Sequence, residues 1–121
     1  MPRITPAIVT LLAIASSGGP VSAHAFLDTA SPRVGSRVAI APGEVRLSFS
    51  EPVEATFCTV TIAGPPGFGG AERPKGGPGD RRILITPLRA PTPPGRYVVH
   101  WRVVSVDSHV TQGDFQFEVA R

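Results

Sequence analysis

Residues 97–104 alternate with a period of two, placing Tyr97, Val99, Trp101 and Val103 on one face and Val98, His100, Arg102 and Val104 on the other. That spacing suits a strand with one buried face, whereas a helix would scatter the same apolar groups around its axis. The period recurs at Val45, Leu47 and Phe49, with Arg46, Ser48 and Ser50 opposite, and again at Phe115, Phe117 and Val119. Residues 25–28, 37–40, 58–62 and 83–86 are shorter strand candidates, punctuated by Ser31-Pro32, Pro42-Gly43 and Pro93-Pro94-Gly95 turn signals. After residue 23 no stretch of helical period is long enough to supply a core helix. The expectation is an all-β domain of about seven strands in two antiparallel sheets packed face to face, with a small closed barrel as the alternative. At 121 residues there is room for one such domain.

The first 23 residues read as a secretory signal: Arg3, an apolar run over residues 7–15, a helix-breaking Gly18-Gly19-Pro20, then small residues Val21-Ser22-Ala23. The apolar run is too short to span a bilayer, which takes ~20 residues. Cleavage after Ala23 leaves His24 first, and cleavage after Ala25 discards it; both satisfy the small-residue rule, and the first is favoured. The mature domain, residues 24–121, then keeps eleven of the twelve basic side chains against nine acidic ones. That near balance, with scattered basic groups and no interleaved aromatics, does not describe a nucleic-acid binder.

Cys58 is the single cysteine and opens a strand-like run, so its plainest reading is a small core residue, with soft-metal or redox roles as alternatives. Met1 is the only methionine and leaves with the signal, so the mature chain has no thioether cluster for Cu(I). Residues 64–79 hold seven glycines and four prolines and read as a long surface loop.

Of the three histidines, His100 sits on a strand opposite Trp101 and is read as structural. His109 closes Asp107-Ser108-His109 in an expected end loop, where a carboxylate and an imidazole two residues apart can face a common centre. Taken alone that pair is a turn. If the mature chain begins at His24, however, the α-amine and imidazole of that residue, the imidazole of His109 and the carboxylate of Asp107 make up a nitrogen-rich tetragonal set. Such a set suits one Cu(II) ion per chain. Ligand nitrogens must lose their protons to bind, so acid should release the ion.

The motifs His24-Ala25-Phe26-Leu27, Ser31-Pro32, residues 47–53 (LSFSEPV), Pro94-Gly95-Arg96-Tyr97 and residues 101–109 (WRVVSVDSH) together resemble the CopC family of periplasmic copper-resistance proteins. The resemblance covers nearly all of residues 24–121. It implies a Greek-key, immunoglobulin-like β-sandwich, a periplasmic location, and a Cu(II) site carried onto His24, Asp107 and His109. Glu51 matches a carboxylate near the metal, either a weak ligand or a group that acts from behind the ligands, and Trp101 matches a core tryptophan. Where the family often has Asp-Gly-His, this chain has Ser108, which lacks glycine's freedom at positive φ and implies a rearranged loop or an altered affinity.

The function expected is that of a non-enzymatic, monomeric copper carrier or buffer working in copper resistance, homeostasis or delivery to a membrane partner such as a CopD-like transporter. Two other readings stand beside it: a copper oxidase using the N-terminal histidine, and a metal-free immunoglobulin-like interaction module. Paired carboxylates at glycosidase-like positions, a nucleophile elbow and a phosphate-cradling loop are all missing from the sequence.

Overall fold

The structure is a computed structural model that describes Pro2 and residues 24–121. Apart from Pro2, the expected signal peptide of residues 1–23 lies outside the described residues.

Eight strands form: β1 (Leu27–Ser31), β2 (Arg37–Val38), β3 (Glu44–Phe49), β4 (Thr59–Ala63), β5 (Lys75–Gly77), β6 (Asp80–Pro87), β7 (Gly95–Val104) and β8 (Val110–Val119). One sheet has the order β1-β3-β6-β5 and the other β2-β8-β7-β4. All pairings are antiparallel except β2 with β8. Only β5–β6 and β7–β8 join sequence neighbours; β1–β3, β3–β6, β4–β7 and β2–β8 each bridge a strand of the opposite sheet. This is Greek-key crossover in a sandwich.

The alternating residues make the core as their period requires. Val45, Leu47 and Phe49 of β3 and Leu84 of β6 face Tyr97, Val99, Trp101 and Val103 of β7 and Phe117 of β8, all of them buried. Phe49 meets Trp101 edge-on at 5.3 Å between ring centroids, and Tyr97 stacks on Phe117 at 5.1 Å. The phenol of Tyr97 donates to the Pro93 carbonyl four residues upstream, a tyrosine corner that ties the entry of β7 to its own turn.

Four sequence-based boundaries are corrected. The first strand starts at Leu27 rather than residue 25, because Ala25 turns inward and is only 1% exposed. The 37–40 candidate shrinks to two residues, and Ile40 stands 83% exposed. Cys58 ends a 3-10 turn (Ala55–Phe57) instead of opening β4; it is buried, and its thiol donates to the Glu54 carbonyl at 3.2 Å. The glycine-rich 64–79 segment is more ordered than a surface loop. It contributes β5, the edge strand that pairs antiparallel with β6, and Phe68 packs edge-on against Tyr97. Its composition offers little side-chain packing, so the order comes from backbone: Arg89 N–H bonds Gly70 O and Glu72 N–H bonds Pro87 O, each at 2.8 Å.

Candidate metal centre

Residues 105–109 join β7 to β8 at the end of the sandwich where β3 runs out and β1 begins. The loop is closed by its own backbone, with Ser105 N–H on His109 O and Ser108 N–H on Ser105 O, both at 2.9 Å. It is also bound to the connection after β3, through Val106 N–H to Pro52 O and a bridge between Val53 and Ser105. Ser108 adopts φ 70, the left-handed region that glycine enters without steric cost.

Inside this loop Asp107 is held at both oxygens. The Ser105 hydroxyl donates to Oδ1, with His109 N–H 3.4 Å away on the same oxygen, and Oδ2 lies 2.9 Å from His109 Nδ1. These contacts, the Ser105 hydroxyl first and then the His109 ring, keep the Asp107 carboxyl below the usual carboxylate range. Asp107 is therefore ionised at neutral pH. With Nδ1 of His109 turned to the carboxylate, Nε2 is the nitrogen left open.

The N-terminal segment is brought against this loop by three anchors. Ala25 is buried and its carbonyl accepts from the Thr111 hydroxyl of β8. Phe26 N–H bonds Ser50 Oγ at 2.9 Å, and Ser50 N–H returns to Phe26 O at 2.8 Å. His24 is thereby set beside His109, with ring centroids 4.6 Å apart and planes inclined by 36°.

Of the sequence-predicted residues, the structure thus brings His24 and His109 together and ties Asp107 to His109. Glu51, next to Ser50 in the same connection, is exposed. Among the described residues no group of three or more His, Cys, Asp or Glu side chains is already arranged to hold an ion; Asp107 has both oxygens engaged within its own loop. His100 lies on the outward face of β7 with Nδ1 2.5 Å from Asp114 Oδ1 on β8. Cys58 is remote from this chemistry in character, because burial pushes its thiol up and keeps it protonated. Ser105 was missed as an individual. It continues the inward series 97, 99, 101, 103, and a hydroxyl at an inward position was the available signal.

A Greek-key sandwich with two imidazoles and a carboxylate gathered on its end loops defines the class: a small β-sandwich protein with a nitrogen-rich end site. The chain belongs to the CopC family, whose domain description, "CopC domain", matches residues 27–120. It is 39% identical over 97% of its length to Protein YobA of Escherichia coli strain K12, covering 93% of that protein. Copper resistance protein C of Escherichia coli is 34% identical, with 80% of this chain and 82% of the relative aligned. Copper transport protein CutJ of Bacillus subtilis is 27% identical over 82% of this chain, which spans 18% of that longer protein. The crystal structure of CopC from Methylosinus trichosporium OB3b superposes with a TM-score of 0.72 at 33% identity, covering 80% of this chain and 94% of the other.

Proposed function

We propose that this chain is an exported copper-binding protein of the extracytoplasmic space, which holds one Cu(II) ion and carries or buffers it without catalysing a reaction. The observation that carries the reading is the contact between His24 and His109, two imidazoles far apart in the sequence whose ring centroids lie 4.6 Å apart. The donors fit Cu(II): the α-amine and imidazole of a processed His24 and Nε2 of His109 supply three nitrogens of a tetragonal set, while Asp107, on Nδ1 of His109, holds that ring in place. Glu51 stands in the adjoining connection as a weaker oxygen donor. The names of the relatives, copper resistance protein C and copper transport protein CutJ, support the choice of metal.

Cleavage before His24 is the processing this reading needs, and the packing of Ala25 supports it. A chain cut after Ala25 would lose a buried side chain and the carbonyl that Thr111 bonds, as well as His24 itself. A periplasmic monomer that meets a CopD-like membrane transporter is the setting. In CutJ a segment similar to this whole domain belongs to a longer copper transport protein, which supports a membrane partner.

The test is a Cu(II) titration of protein beginning at His24, against a competing chelator, with the paramagnetic resonance spectrum recorded. One tightly bound ion with a nitrogen-rich tetragonal signal is expected. The precursor, whose His24 nitrogen is an amide, should bind more than about tenfold more weakly, at least the loss that follows removal of an outer-shell partner. Weak, non-stoichiometric binding, or equal binding by precursor and mature protein, overturns the reading and leaves an interaction module.

A further inference from the structure

We propose that Ser105 is a positioning residue for the metal: its buried hydroxyl pins one oxygen of Asp107 so that the other is held on His109 Nδ1, leaving Nε2 of that ring for the ion. The proposal rests on the copper reading above and deepens it.

Ser105 occupies the next inward position after Val103, where the period of β7 calls for an apolar side chain, and it is 1% exposed. A hydroxyl there loses water and must find partners in the protein. It finds them in the metal loop: it donates to Asp107 Oδ1 and accepts His109 N–H at 3.3 Å. Asp107 and His109 are themselves exposed, so no core packing selects the rotamer of the carboxylate. An exposed carboxylate on two rotatable bonds samples several directions. With Oδ1 held from below by a residue of the core, the freedom left to the group is small, and Oδ2 is directed to His109 Nδ1 at 2.9 Å. That contact in turn leaves Nε2 as the open nitrogen of His109. The rigid sandwich thereby sets the orientation of a surface site through one hydroxyl. Removing it leaves Oδ1 with only the long peptide contact at 3.4 Å.

The experiment is a double-mutant cycle in protein beginning at His24: Ser105→Ala, Asp107→Ala, both together, and Ser105→Thr as the variant that keeps the hydroxyl. Cu(II) affinity by chelator competition, the paramagnetic resonance spectrum and thermal unfolding are measured on each. Ser105→Ala should weaken binding about tenfold, the lower end for loss of an outer-shell partner, and spread the resonance signal over more than one geometry. Ser105→Thr should restore both. In the Asp107→Ala background, Ser105→Ala should lose most of its effect, because the hydroxyl acts chiefly through that carboxylate and only weakly through its long contact with His109 N–H. A full-sized loss in that background would mark Ser105 as merely structural and overturn the proposal, as would unchanged binding in the single variant. Should Ser105→Ala fail to fold, Ser105→Cys keeps the volume with a weak donor and should lose affinity while unfolding near the wild-type temperature. Absence of copper binding by the wild type would instead defeat the copper reading itself.

Discussion

Ser108 is the one non-glycine residue among those described with a positive φ. A side chain in that conformation crowds the following carbonyl, at about 1–2 kcal/mol relative to the right-handed region. The loop accepts this because Ser108 N–H reaches Ser105 O, and the reversal it makes returns His109 toward Ser105. Ser108→Gly should therefore stabilise the domain by about 0.5–1 kcal/mol, the strain relief being partly offset by the greater freedom of glycine in the unfolded chain. A denaturant midpoint that rises, with the copper signal unchanged, is the expected outcome; an unchanged or lower midpoint would show that the loop carries no strain at this residue.

At the scale of elements, the β7–β8 ladder connects core and site. Its ten pairs run from Gly95 opposite Val119 to Val104 opposite Val110, and the last pair sets the mouth of the 105–109 loop. Gly113 lies opposite Trp101, and the indole covers the space where a side chain would stand: a Cβ at 113 would come within 2.6 Å of Trp101 Cζ2. Gly113→Ala must move the indole or bend β8, at about 1–3 kcal/mol for such overpacking. The single tryptophan reports the change directly, so a lowered unfolding temperature with shifted fluorescence is expected. Because Trp101 also packs on Phe49 of the other sheet, the disturbance should reach the Ser50 anchor of the N-terminal segment and weaken copper binding as well.

For the whole molecule the relevant variable is pH. The nitrogens of His24 and His109 compete with protons for the metal, so copper affinity should fall steadily from mildly alkaline to mildly acid solution. Asp107 does not contribute to that fall, since its carboxyl titrates below the usual range. Its effect on folding follows from the same depression: a group whose folded value is lowered adds stability that is present above the unfolded value and lost as pH drops through the folded one. Unfolding temperatures of wild type and Asp107→Asn should accordingly differ at neutral pH and converge only in acid, below the ordinary carboxylate range. A difference constant through acid would show that the loop does not depend on the ionised carboxylate.

Period-two spacing alone was enough to mark β3, β7 and β8 and the side each turns inward, because a one-residue slip would expose Phe49, Tyr97 or Phe117. His24, Asp107 and His109 were named by other signals, the expected signal junction before His24, the Asp-x-His spacing and the resemblance to the CopC family, since the Asp-x-His pair alone reads as a turn. Strand β5 was invisible, for its Lys-Gly-Gly carries no side-chain pattern and its existence depends on hydrogen bonds offered by β6. The sequence offered His109 as the partner of His24, but only the tertiary structure decided how the two meet. His100 is nearer His109 in the chain yet faces outward to Asp114, while Ser50, just after β3, and Thr111, on β8, draw the N-terminal segment to the 105–109 loop. Periodicity is local and can be read along a chain. The meeting of two segments distant in the chain depends on how the sheets stack, and no stretch of sequence carries that on its own.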